Sequence, residues 1–463
     1  MGLVNEISDF ICSTNADDLP LTVIDNTKDR ILDFLGIALS GCSRNIHVPI
    51  LKAFTPCTGP ESATVIGQME KLRWSEAAFV NSSMCSPDMT DGARTAGLHP
   101  GVVVIPAAMA AAEFAGRTKP VHGRDLIVAV ALGYEVMVRI GRAMFPSTVK
   151  KGFHLTSVVG ALASTTAVGK IMELNATEMS HALAVACTWS SGLLAALRAP
   201  EPFAQVQIGR ICEAGITSVK LAQQGIVGMD TILENGFLPA FCDEDRMDSI
   251  IKDLGQDFMI SQTYIKLHAG CRHMHAPMDA VAYIVKENSI ALDEIEKIIV
   301  KTYSLAIDSG VKDPKTADEA KYNMPFGIAV LLVYADALVD RFSLRNLREE
   351  KIRQLMDKIT IEHDPKLDQE YPAKRGTTVR IRTTGGREFL HSLDLAKGEP
   401  ELPLSEDELN NKFIRFTSQI LGSQQRGKIL DFIYTIDSRK DLYPLFKWLG
   451  SENKRINSKT PLE

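Results

Sequence analysis

The run Lys266-Leu-His-Ala-Gly-Cys-Arg-His-Met-His275-Ala-Pro-Met-Asp279 concentrates three imidazoles, a thiol, a guanidinium and an ammonium within ten residues. Each of these groups costs free energy to bury unless it is partnered, and His is the side chain whose unperturbed pKa, roughly 6.5, suits proton transfer near neutrality. The run therefore reads first as part of a site, with Lys266, Cys271, Arg272, His273 and His275 as its working groups. The plainer alternative is a solvated loop leading into a helix from about Ala276. There Pro277 suits a first turn, and Met278, Val281, Ala282 and Ile284 supply apolar spacing.

Three other segments carry candidate chemistry. Asp88-Met-Thr-Asp91 followed by His99-Pro100-Gly101 puts two carboxylates and an imidazole just ahead of an expected helix start. Backbone N–H groups and the helix dipole at such a place favour anions, although Asp and His there also serve as caps and turn formers. Gly152-Phe-His154-Leu-Thr156 precedes a second Gly/Ala-rich helix. A lone His at a helix entrance is structural more often than catalytic, and only convergence with other sites raises it. Ala320-Lys-Tyr322-Asn-Met-Pro-Phe326-Gly leads into a helix expected from Ile328, where Tyr322 and Asn323 either cap or face a cleft. Arg198-Ala-Pro-Glu-Pro202 and Gln205 to Arg210 break the helical pattern. The sequence holds no HExxH, spaced Cys/His zinc pattern, Walker loop, GxGxxG or GxSxG elbow. Acid/base chemistry without a cofactor or metal is the expectation that remains.

These groups need a scaffold, and 463 residues is more than one hydrophobic core usually serves, so two domains are expected. From the start to about residue 260 the pattern is helical, as in Thr27 to Leu39, Ser75 to Met84, Gly101 to Phe114 and Glu178 to Leu197. Helices apolar nearly all round belong inside a large bundle or at an oligomer interface, which points to a helical domain and to dimerisation. After about residue 265, Lys297 to Tyr303 and Thr377 to Thr383 alternate apolar with polar residues. Gly385-Gly386 then leads into Glu388-Phe-Leu-His391 as a hairpin. The expected architecture is mainly α: a helical domain over 1–263 joined by helices over 404–463, and an α+β lid domain over 264–403.

The balance of 51 basic against 57 acidic residues gives a formal charge of -6. With no basic tract interleaved with aromatics, a nucleic-acid partner is unsupported and a small-molecule substrate is expected. Eight cysteines without a CxxC pair suit reduced thiols and a cytoplasmic-type compartment. The N-terminus lacks the cationic start and continuous apolar core of a secretory signal. Stretches such as Val102 to Ala115 are broken before the roughly 20 residues a membrane span needs.

The order of these blocks resembles the MmgE/PrpD family of dehydratases, decarboxylases and epimerases. The resemblance runs through Ile31 to Gly41, Ala78 to Asn81, Asp88 to Gly101, Gly152 to Thr156, Lys266 to Asp279, Ala320 to Gly327 and Lys397-Gly-Glu-Pro400, ahead of a terminal Lys412-Phe413 helix. It implies a helical domain made of the N-terminal part plus the C-terminal helices, an α+β lid and a homodimer. By position, Asp88 matches the first acid of the family's Asp-rich loop, His99 its His-Pro histidine, His154 its Gly-x-His histidine and Lys266 the lysine opening the lid segment. Those four are the expected catalytic residues. Asp91, Arg94, Arg272, His273, His275, Cys271 and Tyr322 are expected to bind substrate.

The chain also departs from the pattern. Where the family often has Lys-Pro-x-His-x-Gly, this sequence reads Ala204-Gln-Val-Gln207-Ile-Gly209, without the ammonium and the imidazole. Cys271 stands where the decarboxylase branch has a histidine, and Phe326 where it has a tyrosine. The leading expectation is a cofactor-independent lyase, a dehydratase or decarboxylase of a small carboxylate, with His154 or His99 carrying the proton and Lys266 and Arg272 holding carboxylate. An epimerase using the same proton abstraction and an inactive binding paralogue are the alternatives.

Overall fold

The computed structural model describes residues 2–86, 88–244 and 246–450. The chain divides into two compact units, one made of the chain up to Thr263 together with the segment from Glu406, the other of Tyr264–Ser405.

The larger unit is built of helices: α1 (Leu3–Ser13), α2 (Leu21–Ser43), α3 (Trp74–Ser83), α4 (Gly101–Ala115), α5 (Gly123–Met144), α6 (Leu155–Ile171), α7 (Ala176–Trp189) and α8 (Phe203–Gln223). Their composition explains their place. In α4 every residue from Gly101 to Glu113 is buried, and in α6 only Lys170 is not. Small residues make such helices dense enough to sit in the middle of a bundle: an added Cβ at Gly160 would come 2.9 Å from Ile211 of α8, and one at Gly209 2.2 Å from the Ser83 hydroxyl of α3. Charged side chains in this interior find internal partners, as where the Glu135 carboxylate accepts from Arg139 and from the Met259 N–H. Among the described residues no helix is long and apolar enough to cross a membrane.

The smaller unit holds α9 (His275–Glu287) and α10 (Met324–Tyr334) beside a four-stranded sheet of β1 (Ile295–Thr302), β2 (Ile359–His363), β3 (Thr377–Thr383) and β4 (Glu388–Leu393), in the order β2-β1-β3-β4. The β1–β2 pair is parallel; the other two are antiparallel. In β3 Thr377, Val379, Ile381 and Thr383 are buried, the period-2 alternation of a sheet covered on one face, and α9 packs across β3 and β4. The chain then returns to the larger unit as α11 (Glu406–Thr417) and α12 (Ser423–Tyr434).

Several helices differ from their expected bounds: Gln205 to Arg210, read as a break in the helical pattern, lies inside the continuous α8, and α2 extends beyond Thr27 to Leu39 at both ends. The segment read as one helix from Glu178 to Leu197 stops at Trp189 and resumes as a short 3-10 turn over Leu194–Arg198. Gly192 lies between, at φ +132°, which an L side chain rarely adopts, and it sends the chain back to pair Leu193 with Phe153. The helix expected from Ile328 starts four residues earlier, because the Asn323 side chain accepts from the Phe326 N–H and Pro325 suits the first turn.

The return of α11 is fixed by charge. The Lys412 ammonium lies 2.5 Å from the Asp33 carboxylate of α2 and donates to the Met89 carbonyl at 3.3 Å, both charged side chains being buried. Burial pushes the Asp33 carboxyl above its ordinary value, against the pull of Lys412 and Arg30. Lys412→Met strands a buried carboxylate and is expected to cost about 3–5 kcal/mol. The midpoint of unfolding in denaturant checks this: the single variant should fall well below wild type and Asp33→Asn/Lys412→Met should recover most of the loss.

Candidate active site

In the larger unit a tight turn prepares the first histidine. The Ala93 N–H donates to the Leu98 carbonyl at 2.9 Å and the Gly97 N–H to the Ala93 carbonyl at 2.8 Å, folding 93–98 back so that His99 arrives beside Asp91. His99 Nδ1 lies 2.6 Å from the Asp91 carbonyl oxygen. A carbonyl only accepts, so Nδ1 carries the proton, and in the neutral ring Nε2 holds the lone pair. The His99 backbone N–H donates to the Thr156 hydroxyl at 3.1 Å, which seats His99 against the first turn of α6.

The Asp91 side chain holds this turn to the bundle. One carboxylate oxygen accepts from the Gly101 N–H at the start of α4 (3.0 Å) and the other from the Tyr134 hydroxyl of α5 (2.6 Å). Gly101 is required there, since a Cβ would come 2.8 Å from both the Asp91 oxygen and the Tyr134 hydroxyl. Asp91, expected to bind substrate, has both carboxylate oxygens occupied in this way and is 3% exposed.

His154 stands immediately before α6 and is buried. Its N–H donates to the Gly192 carbonyl, and the Leu194 N–H to the Gly152 carbonyl, so the stretch after α7 runs alongside it. Its Nδ1 lies 3.0 Å from the Ser157 hydroxyl and 3.2 Å from the Gln207 amide nitrogen of α8. Burial lowers its pKa to about 4, so the ring is neutral near pH 7. Thr156 thus brings His99 within one helical turn of His154.

Asp88, on the turn that precedes these residues, accepts from the Ser86 hydroxyl at 3.1 Å, and the same hydroxyl lies 2.7 Å from the Glu201 carboxylate, which is paired with Arg44. Arg94 is half-buried within the 93–98 turn. Glu201, Tyr134, Ser157 and Thr156 were not singled out by role in the sequence. Glu201 carried one visible mark, its place between two prolines that interrupt the helical pattern; Tyr134 sits in an unbroken apolar helix and carried none.

The smaller unit holds the other cluster, and most of it is structural. Arg272 was expected to bind a substrate carboxylate, but it already has one: its guanidinium donates twice to Glu399 at 3.0 and 3.1 Å, to the Lys397 carbonyl at 3.1 Å and to His275 Nδ1 at 2.9 Å. Arg272 and Glu399 are both buried, and breaking such a pair is costly, so Arg272 joins the start of α9 to the 397–400 turn. His275 is fully buried on that guanidinium, and burial together with Arg272 drives its pKa well down. His273 meets the Tyr303 hydroxyl through Nδ1, and burial lowers its pKa to about 3. Both rings are neutral near pH 7, His275 fully buried and His273 half-buried. Lys266 is buried, its ammonium 3.3 Å from the Gly270 carbonyl, while Cys271 and Tyr322 are half-buried, the Cys271 N–H donating to the Lys321 carbonyl.

The profile of the MmgE/PrpD N-terminal domain matches residues 5–249, and that of the MmgE/PrpD C-terminal domain matches residues 268–435. The chain belongs to the MmgE/PrpD family. Among its relatives are a cis-aconitate decarboxylase of Aspergillus terreus, 27% identical with 97% of this chain and 96% of the relative covered, and that of Mus musculus, 27% identical with 91% and 87% covered. The Homo sapiens cis-aconitate decarboxylase is 26% identical, with 95% and 93% covered.

In this MmgE/PrpD protein the Asp91 carboxyl is raised to about 6, chiefly by burial, with Tyr134 and Gly101 opposing. A carboxyl raised in the folded state stabilises the fold below its unfolded value of 3.8 and loses that contribution as pH rises through about 6. The difference is on the order of 3 kcal/mol. Asp91→Asn keeps an oxygen for the Gly101 N–H and has no proton to lose, so its Tm is expected to fall less steeply between about pH 4 and 6 than that of wild type, the remaining fall coming from other buried carboxyls such as Asp29, also raised to about 6. Melting across that range is the check, and parallel curves for the two proteins would mean that Asp91 contributes nothing to the pH dependence.

Proposed function

We propose that this MmgE/PrpD lyase, acting on a small carboxylate, is a decarboxylase in which His99 carries the proton. The observation that supports this reading most directly is the hydrogen bond from His99 Nδ1 to the Asp91 carbonyl. It persists whether or not the ring is charged, so the imidazole keeps one orientation while Nε2 gains and loses a proton.

The step balances simply. In an unsaturated polycarboxylate the bond between one carboxylate and its carbon breaks, carbon dioxide leaves, and the electron pair delocalises towards a remaining carboxylate. His99 Nε2–H then delivers a proton to the carbon and is recharged from solvent, with no call on a cofactor. The N-terminal end of α6, where Thr156 seats His99, favours the negative charge that develops. The relatives named cis-aconitate decarboxylases support the reaction class. The substrate is read as a relative of cis-aconitate with fewer carboxylates, because Ala204 replaces an ammonium and because Phe326, fully buried against Phe342, offers no hydroxyl. The unpaired thiols support a reducing, cytoplasmic-type compartment, and a homodimer is what the family resemblance implies.

His99→Asn keeps a donor for the Asp91 carbonyl and removes Nε2, so it is expected to fold as wild type and to lose about 10²–10⁴-fold in rate. Purified protein incubated with a panel of unsaturated di- and tricarboxylates in deuterated water, with products resolved by mass, tests the proposal. Loss of carbon dioxide with one deuteron gained on carbon, abolished in His99→Asn, is the expected result. Loss of water identifies a dehydratase, deuterium uptake without loss identifies an epimerase, and either outcome overturns the proposal.

A further inference from the structure

Gln207 meets His154 in a way that its own backbone partner decides. The Gln207 Oε1 accepts from the Leu193 backbone N–H at 2.8 Å. An N–H only donates, so the oxygen of the amide must lie on that side and the NH2 must face the other way. That NH2 lies 3.2 Å from His154 Nδ1 and 3.3 Å from the Ser157 hydroxyl. Facing a donor, Nδ1 holds a lone pair, and the ring proton is therefore on Nε2. Leu193 is held by its pairing with Phe153, and Gly192, at φ +132°, is packed so closely that an added Cβ would come 2.5 Å from Ser157 and 3.1 Å from the Gln207 amide.

We propose that Gln207 is a positioning residue that fixes His154 as a neutral Nε2–H donor, so that His154 stabilises the negative charge developing on the substrate without transferring its proton. The two histidines beside the first turn of α6 thereby differ in kind. A carbonyl at Nδ1 leaves His99 a nitrogen that binds and releases a proton, and an amide NH2 at Nδ1 leaves His154 a fixed donor. A neutral imidazole is suited to that task, because its bound proton is released only to a very strong base and so remains in place through the reaction. Burial keeps the ring neutral, in the same direction. Among the described residues Nε2 has no hydrogen-bond partner, as expected of a donor kept for a ligand. The catalytic part of this inference rests on the decarboxylase reading; the tautomer does not.

Ring-15N-histidine NMR of the full chain without substrate tests the tautomer independently, the His154 signals being identified by their loss in His154→Asn. Wild type is expected to show His154 with a protonated Nε2 and an unprotonated Nδ1, unchanged from pH 6 to pH 8. In Gln207→Glu a carboxylate oxygen faces Nδ1, so the proton should move to Nδ1. Gln207→Met, which removes the donor without inverting it, should give a mixture of the two tautomers. A wild-type ring protonated on Nδ1, a charged ring at neutral pH, or an unaltered tautomer in Gln207→Glu would overturn the proposal whatever the enzyme's substrate. With a turned-over substrate in hand, Gln207→Glu should lower kcat at least tenfold with KM changed less than threefold, whereas equal losses in both would point to a merely structural role.

Discussion

The buried ammonium of Lys412 is the point on which the larger unit depends. It is contributed by a helix nearly 380 residues away in sequence from the carboxylate it meets, and it bonds also to the backbone of the turn that carries Asp88 and Asp91. Hydrophobic burial would hold α11 against α2 in several neighbouring registers, since apolar contact is non-directional. A charge pair out of water allows one, because any slip leaves both ions uncompensated. The C-terminal return of the chain thus does more than cover the bundle. It sets the height of the turn from which His99 is hung.

From that turn outward, rigidity passes through groups whose polarity cannot be inverted. Asp91 gives its carbonyl to His99 and its carboxylate to two separate helices, α4 through Gly101 and α5 through Tyr134. His154 is reached from the opposite side, through the pairing of 152–154 with 192–194 and the amide of Gln207 on α8. His99 is thereby oriented from helices buried for most of their length, and His154 from the first turn of the buried α6 and from Gln207 of α8.

Much of this was legible in the sequence, for physical reasons. All-apolar helices such as Gly101 to Phe114 have only one place in a soluble fold, and alternation over Thr377 to Thr383 admits only a half-covered strand, so the mainly α architecture with a smaller α+β unit could be read directly. His99 and His154 could be marked because both stand before helices, where backbone N–H groups and polar side chains collect. What the sequence hid was commitment. Asp91 and Arg272 have the chemistry of ligand-binding groups, but whether a carboxylate or a guanidinium is already satisfied depends on Tyr134 and Glu399, residues 43 and 127 positions away. No local spacing reports such partners. The helix bounds misread near Leu194 and Ile328 failed for the same cause, a backbone turned by Gly192 in one case and a cap supplied by Asn323 in the other.

The amide at position 207, where the family resemblance implies an imidazole, acquires a physical meaning in this light. A titratable ring at this position would share protons with His154, and the tautomer of each would follow the state of the other. An amide does not titrate, and with its oxygen pinned by the Leu193 N–H it cannot present its acceptor to the ring. The substitution therefore removes a degree of protonation freedom rather than a binding group alone. On the proposed reading it leaves one histidine, His99, as the group whose charge changes during turnover, with His154 part of the fixed electrostatic surroundings in which that change occurs. A site so divided is suited to a reaction that moves a single proton, and decarboxylation followed by protonation at carbon is such a reaction.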